Sequence, residues 1–407
     1  MSSAGASPIK LLVDVTCLTP PLTGIGRYTL EILSQLALCP EQVALRGFSG
    51  LSHYEPEALC SFLATVDGPT EQVSMGSAIV EQRTWPLAKK MIKRIPRARQ
   101  LRAHILNKRI ARASAQIEGS IYWQPNCILG TSKGPSIVSV YDLSHVRFPH
   151  FHPPERRRWL QDNLASSLDR ADHIMTVSHF SKAEIVDVYG IAEQRISVVY
   201  PGVADCFHDR LPAQGLAAVQ KKYNLPPQYL LSLGTLEPRK NLKGLVQAYA
   251  RLSPALRQRY PLVLAGAQGW NHGETDSVIA QLESRGELIK LGFVPQALLP
   301  ALYQNASAFA YVSLYEGFGM PVAEAMASGV PVLTSDCASM PEVAQGCTLL
   351  TEPNSIDAIT QGLNQLLGDL SGAAARSEAG RRVSLDYNWR AAADSFIGVA
   401  TALRKSA

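Results

Sequence analysis

Two glutamates eight positions apart bracket a glycine-rich turn in the segment Tyr315-Glu316-Gly317-Phe318-Gly319-Met320-Pro321-Val322-Ala323-Glu324-Ala325. An apolar run from Ala308 to Val312 feeds that turn, Pro321 stands where a first helical turn begins, and Gly329 and Pro331 end the helix. A glycine turn opening onto a helix presents unpaired backbone N–H groups and the positive end of the helix dipole, which suits a diphosphate. Glu324, about one turn into that helix, is placed to accept from ribose hydroxyls, as acids do in dinucleotide sites, while Glu316 faces the far side of the phosphates. The plainer alternative, acids capping an ordinary turn, needs both glycines, the proline and both acids to coincide.

A second cluster, Gly234-Thr235-Leu236-Glu237-Pro238-Arg239-Lys240-Asn241, follows the apolar run Tyr229 to Leu233. Adjacent cations at the carboxyl end of a parallel strand stand where ligands bind in open α/β sheets. There Arg239 and Lys240 can neutralise the charge that builds on a departing diphosphate, usually the largest electrostatic contribution to such chemistry. A solvated Arg-Lys pair is the competing reading. Near the start, Gly24-Ile25-Gly26-Arg27-Tyr28 follows an apolar strand and reads either as a ligand loop or as a plain turn. Tyr141-Asp142-Leu143-Ser144-His145 also follows an apolar run, and His145 there serves either the site or the packing. No D-x-D stands at a strand end, so the expectation is charge stabilisation by protein groups, with no metal and no other cofactor.

These clusters need strands to aim them. With 407 residues the chain exceeds the roughly 250 to 300 at which one core stops growing, so two domains are expected. Apolar runs at Ile9 to Val15, Val43 to Phe48, Ser120 to Trp123, Ser136 to Tyr141, His173 to Val177 and Ile196 to Val199 alternate with helical stretches such as Ile25 to Leu38. The scheme repeats at Tyr229 to Leu233, Leu262 to Ala265, Leu288 to Leu291, Ala308 to Val312 and Pro331 to Thr334. Such alternation predicts an α/β protein of two Rossmann-like, doubly wound parallel-sheet domains facing each other across a cleft. The expected division is 1–205 for acceptor binding, 206–385 for the nucleotide, and a helix in 386–407 that can pack back on the first domain.

Hydrophobic residues make up 46% of the chain, enough for a large core. Seven cysteines, odd in number, scattered and never in a C-x-x-C pair, argue against a disulfide framework or zinc site and for a reducing, cytoplasmic setting. No stretch reaches the ~20 apolar residues that span a bilayer. Eleven of the 39 Lys and Arg lie between Arg83 and Arg112 without one acid, so the rest of the molecule is acidic. Apolar residues are interleaved there, as in a basic amphipathic helix making peripheral contact with the inner face of a membrane; a solvated face, or a patch docking an acidic acceptor, fits the same pattern. Nucleic acid is not expected as a partner, since no aromatic stacking pattern or binding module accompanies the charge.

In their order, Thr176-Val177-Ser178-His179-Phe180-Ser181, Pro201-Gly202-Val203, Gly234 to Asn241, Gly292-Phe293-Val294-Pro295, Glu316 to Glu324 and Pro341-Glu342-Val343 resemble the E-x7-E retaining glycosyltransferases of the GT-B fold, glycosyltransferase family 4. The resemblance covers nearly the whole chain. It implies that Lys240 and Arg239 bind the diphosphate, Glu316 contacts the donor hexose and Glu324 the ribose. Gly234, Thr235, Gly317, Phe318, Gly319 and Met320 would line the donor, Val294 and Pro295 would flank the nucleobase, and Gly24 and Gly26 would form the loop where donor phosphates and acceptor meet. Many relatives carry Arg where this chain has Thr235, so Arg239 would supply that charge. Many carry His-Asp where Tyr141-Asp142 stands here, so a sugar contact would pass to Tyr141 or to His145. Tyr141 to His145, Arg147-Phe148-Pro149, His152-Pro153 and the Glu237 to Asn241 form are similar to bacterial mannosyltransferases that use GDP-mannose to build surface polysaccharide (O-antigen, capsule or exopolysaccharide) on an oligosaccharide or lipid-linked glycan acceptor.

The implied chemistry is transfer with retention by front-face attack, the leaving diphosphate oxygen taking the acceptor proton, with domain closure excluding water. No carboxylate nucleophile for a double displacement is evident. A UDP-sugar donor, a nucleotide-sugar epimerase on the same architecture, and a non-catalytic nucleotide-sugar-binding subunit are the rival classes.

Overall fold

Strands buried on both faces of a parallel sheet require nearly continuous apolar sequence, and the chain supplies it in short runs. In the computed structural model, which describes residues 7–20, 22–50, 52–67, 98–234, 237–266 and 275–406, these runs form two sheets. The strands β1 (Ile9–Asp14), β2 (Val43–Ser49), β3 (Ser52–Tyr54), β4 (Ile121–Gln124), β5 (Ser136–Ser139), β6 (His173–Thr176) and β7 (Ile196–Val198) make the first, in the order β3-β2-β1-β4-β5-β6-β7. Only the short β3 runs antiparallel, closing a hairpin on β2. The second sheet, from β8 (Leu230–Leu233), β9 (Leu262–Ala265), β10 (Leu288–Gly292), β11 (Ala308–Tyr311), β12 (Val332–Ser335) and β13 (Leu349–Thr351), is parallel throughout and ordered β10-β9-β8-β11-β12-β13.

Each sheet reverses its order beside its first strand: β1 lies between β2 and β4, and β8 between β9 and β11. Loops leaving the strands at such a point diverge and open a crevice at the carboxyl edge. The turn before Gly24 leaves β1, the Arg239-Lys240 loop leaves β8 and the Glu316 loop leaves β11, so the topology delivers the three clusters to facing edges. The apolar register beneath them is tight, with Leu11 beside Leu45 on one side and Ile121 on the other. Edge strands β3 and β13 carry no signal that separates them from loop, being three residues each.

The helix expected at Ile25 to Leu38 spans Gly24–Ala37, so Gly24 and Gly26, which the resemblance would put in a loop, both lie in its first turn, with the N-cap Thr23 accepting from Gly26 N–H. The stretch from Val203 to Pro212, where the chain passes from the first sheet to the second, contains the short helix Asp205–His208. The chain crosses between domains a second time before the helix Trp389–Ser406, and the two crossings pair, Val203 N–H donating to the Tyr387 carbonyl at 2.8 Å. A Cβ at Gly202 would fall 2.2 Å from the Trp389 nitrogen, so only glycine admits this approach. Beyond it the helix lies on the first domain, with Trp389 against Tyr28 (5.7 Å between rings) and Phe396, fully buried, against Trp123 (4.7 Å).

Of the basic segment, residues 83–97 lie outside the described residues, and the remainder belongs to the helix Ala98–Gln116. There Lys108 and Arg112 are exposed, Ile105 is half exposed and Ile110 is buried. Among the described residues no helix is long and apolar enough to cross a membrane. All seven cysteines are unpaired.

Candidate active site

Glu316 is the centre of the cleft's charge. The β11 strand ends at Tyr311, and the chain then turns so that the Glu316 carboxylate comes back over the strand's own end. Its Oε1 accepts from Lys240 Nζ (2.6 Å), Ser313 Oγ (2.8 Å) and Tyr311 Oη (2.9 Å), and its Oε2 accepts from Arg239 Nη1 (2.7 Å). Arg239 also reaches Glu237 at 3.0 Å. Burial opposes ionisation of Glu316, but the two cations overcome it and hold the carboxyl at about 2. For Lys240 burial dominates and lowers its pKa against the pull of Glu316, whereas Arg239 is raised, burial being outweighed by Glu316. Asn241, in the left-handed region at φ 56°, ends this turn and caps the helix Leu242–Ala250 by accepting from Gly244 N–H. The two cations are thereby fixed at the β8 edge.

The helix Met320–Ala327 points its N-terminus at the same place, with Gly319 (φ 107°) as N-cap, no capping side chain and no acid in its first turn. Its open amide end and dipole favour negative charge. Glu324, one turn in, is buried and accepts from Tyr303 Oη at 3.1 Å. Burial raises its pKa to about 7, against the Tyr303 hydrogen bond and the charge of Arg27 from the first domain.

The two domains meet directly around this loop. The Gly317 carbonyl accepts from Ser178 Oγ at 2.6 Å and from Ser181 Oγ at 3.3 Å, and a Cβ at Gly317 would lie 2.0 Å from the Tyr141 carbonyl oxygen. Glycine at 317 thus serves the contact between domains. Tyr315 enters the first domain, where its hydroxyl bonds Glu184 and accepts from Leu143 N–H, and its ring meets Phe148 and Phe180. Glu342 caps the helix His179–Tyr189 from the other domain, accepting from His179 N–H (2.7 Å), Phe180 N–H (3.0 Å) and Tyr200 Oη (2.8 Å).

This chain is 35% identical over 388 residues to the O-antigen chain mannosyltransferase B of Escherichia coli, an alignment covering 94% of this chain and 96% of that protein. Residues 23–205 match the family model "Glycosyltransferase Family 4", and residues 217–383 match "Glycosyl transferases group 1". The chain belongs to the family 4 glycosyltransferases. A serotype-specific mannosyltransferase of E. coli is 34% identical over 219 residues, 53% of this chain and 27% of that longer protein. Among solved structures, sucrose-phosphate synthase from Thermosynechococcus elongatus superposes with a TM-score of 0.71 at 16% identity, covering 99% of this chain and all of that one. WaaG, a glycosyltransferase of lipopolysaccharide biosynthesis, gives 0.67 at 16%, covering 97% of this chain and all of that one. The fold is therefore GT-B.

Within this glycosyltransferase the structure brings Gly234, Arg239, Lys240, Glu316 and the N-terminus of the Met320 helix together at the carboxyl edge of β8 and β11; Thr235 lies outside the described residues. Val294 is buried and Pro295 exposed just beyond β10. Phe318 is buried against Tyr200 and Tyr387, and Met320 is half buried in the first turn of its helix. Tyr141 presents its backbone to Gly317, but its ring packs against Tyr28 and its hydroxyl is buried in the first domain, turned away from the cation pair. His145 is buried, with its Nε2 unpartnered among the described residues. Tyr311, Ser313 and Tyr303 went unnoticed in sequence because they fall in strand or helix runs that read as core. Ser339, which donates to the carbonyls of Glu316 (3.0 Å) and Phe318 (2.9 Å), carries no local signal at all. Among the described residues no group of three or more His, Cys, Asp or Glu could hold a metal ion.

Proposed function

We propose that this glycosyltransferase moves mannose, with retention and without a metal, from GDP-mannose to an oligosaccharide or lipid-linked glycan acceptor in bacterial O-antigen synthesis. The observation that carries the reading is the Glu316 carboxylate held between Lys240 and Arg239 beside an uncapped helix N-terminus. The 35% identity to an O-antigen mannosyltransferase over almost the entire chain supports the sugar and the pathway.

In this reading the donor diphosphate takes hydrogen bonds from Lys240, Arg239 and the Met320–Ala327 amide end, and these groups hold the charge that develops as the glycosidic bond breaks. The acceptor hydroxyl attacks from the face the leaving phosphate vacates, and its proton passes to that phosphate. Three donors already crowd Glu316 Oε1, so its Oε2 is the atom with room for a donor-sugar hydroxyl. Glu324 accepts from the ribose. The basic segment from Arg83 to Arg112 holds the enzyme against the inner face of an anionic membrane, where a lipid-linked acceptor resides.

Incubating the purified protein with GDP-mannose, UDP-glucose, UDP-N-acetylglucosamine and GDP-fucose, each with a mannose-terminated acceptor, tests this directly. GDP release coupled to an α-linked product by NMR is the expected result. A β-linked product would sink retention, and preference for a UDP-sugar would sink the donor assignment. Loss of activity in EDTA, restored by a divalent ion, would sink metal independence.

A further inference from the structure

The loop after β5 carries three polar side chains joined in series, on the face of the cleft opposite the cations. Asp142 Oδ1 accepts from the Ser144 backbone N–H (2.9 Å) and from Ser144 Oγ (2.6 Å). Ser144 Oγ lies in turn 3.0 Å from His152 Nε2. Ser144 is buried, while Asp142 and His152 are half buried. His152 precedes Pro153 and Pro154 and has extended backbone at the entrance to the helix Pro154–Arg170, which fixes where its ring begins.

The order of protons along this chain follows from donor and acceptor counting. An ionised carboxylate only accepts, so the single Ser144 hydroxyl proton is committed to Asp142. Ser144 Oγ can then only accept from His152, which makes Nε2 the protonated nitrogen of a neutral ring and leaves Nδ1 as a bare lone pair. Burial is the main influence keeping the ring neutral; Arg156 and, from the second domain, Arg239 act the same way, while Asp142 and Glu237 oppose them and His145 lies beside it. A Cβ at Gly317 would lie 3.1 Å from the Asp142 Cβ, so the series that ends at His152 starts beside the Glu316 loop, on the first domain's side of the cleft. Among the described residues nothing hydrogen bonds to Nδ1.

We propose that Asp142, Ser144 and His152 form an acceptor-binding relay, in which His152 Nδ1 accepts a hydrogen bond from a hydroxyl of the acceptor sugar. His152 touches the acceptor; Ser144 and Asp142 are positioning residues that set its tautomer. A neutral ring acceptor suits an uncharged pyranose hydroxyl, which must donate its proton, and discriminates against a methylated position there. The inference rests on the reading of the protein as a glycosyltransferase acting on a glycan, and adds the side of the site that the donor residues do not reach.

The test uses the full chain with GDP-mannose and a mannobioside acceptor. His152→Ala should raise the acceptor KM about tenfold, the loss of one well-placed hydrogen bond, while GDP-mannose affinity and acceptor-independent donor hydrolysis stay unchanged. His152→Gln, which keeps an acceptor oxygen but cannot titrate, should stay within a few-fold of wild type at pH 7.5. It should also lack the rise in acceptor KM expected of the wild type once the pH falls through the lowered pKa of the His152 ring. Ser144→Ala should raise acceptor KM ~2–3-fold. In the unliganded protein, 15N shifts of the His152 ring should report the Nε2–H tautomer. An Nδ1–H tautomer, an unchanged acceptor KM in His152→Ala, or a parallel loss of donor affinity there would overturn the relay. Absence of transfer by the wild-type protein would instead overturn the functional reading beneath it.

Discussion

Lys240 and Arg239 share one carboxylate before any substrate arrives, so a diphosphate bound as proposed enters a site whose cations are already ordered. The entropy of fixing two long side chains has been spent in folding, and preorganised charge of this sort is worth more in a water-poor cleft than the same charge in solution. Lys240→Ala should lower kcat by ~10² or more with a smaller change in donor affinity, measured by steady-state kinetics and calorimetry. Wild-type turnover would remove Lys240 from the mechanism. Glu324 makes a prediction about pH. Burial lifts its carboxyl to about 7, and the proposed ribose contact needs it ionised. The Kd for GDP-mannose, whose diphosphate does not itself titrate in this range, should rise as pH falls below 7, approaching tenfold per unit. For stability the sign is opposite. The folded pKa lies above the ordinary 4.5, so the contribution is fully present below that value and is lost as pH rises through 7. Glu324→Gln should therefore raise Tm more at pH 8 than at pH 5, and an equal gain at both would refute the raised carboxyl.

At the scale of elements, the Glu316 loop is both a donor-side turn and a seam between domains. Gly317→Ala would set a methyl 2.0 Å from the Tyr141 carbonyl, and backbone cannot yield there as a flexible side chain would. The cleft must part. The variant should show a larger radius by X-ray scattering and a fall in kcat at unchanged thermal stability of the isolated sheets' cores; an unchanged radius with full activity would show that the contact is dispensable. Glu342→Ala removes acceptors from two N–H groups at the start of the His179–Tyr189 helix and should cost about 1 kcal/mol, read as a drop in Tm. Sequence carried much of this seam's chemistry and little of its partnership. Parallel strands announce themselves as apolar runs ending in glycine, and the E-x7-E spacing pointed to the loop whose Glu316 meets Lys240 and Arg239. Tyr311 and Ser313, by contrast, alternate with core residues in and after a buried strand, and Ser178, Ser181 and Glu342 meet their partners across more than 130 positions of chain. Spacing along a sequence cannot reveal contacts that only folding creates. Gly24 and Gly26 illustrate the converse: a G-x-G after a strand reads as a loop or a turn, yet Thr23 is a good N-cap and starts the helix at Gly24, one residue before the helical stretch that the pattern gives.

At the scale of the molecule, the twin sheets were legible from their repeated alternation, and the return of the last helix to the first domain only as a possibility, since an amphipathic helix does not declare which core it covers. Phe396 is buried against Trp123, and Phe396→Ala should cost roughly 3–5 kcal/mol, expressed in protection of β1 and β4 amides from hydrogen exchange. Protection lost only around β8 to β13 would contradict this. The membrane contact proposed for the basic segment is tested at its surface. Binding to vesicles rich in anionic lipid should weaken steeply with salt, and replacing Lys108 and Arg112 with Gln should weaken it further without touching kcat on a soluble acceptor.

The homeward path of that final helix also has a temporal meaning. Trp389 and Phe396 complete a core whose other walls are translated some 270 residues or more before them, so a nascent chain on the ribosome holds an unfinished first sheet while the second is being made. Apolar positions around Tyr28 and Trp123 then await their cover until elongation has passed residue 396. Such a chain should complete its first domain only after its second has been made, and should lean on chaperones for the interval between.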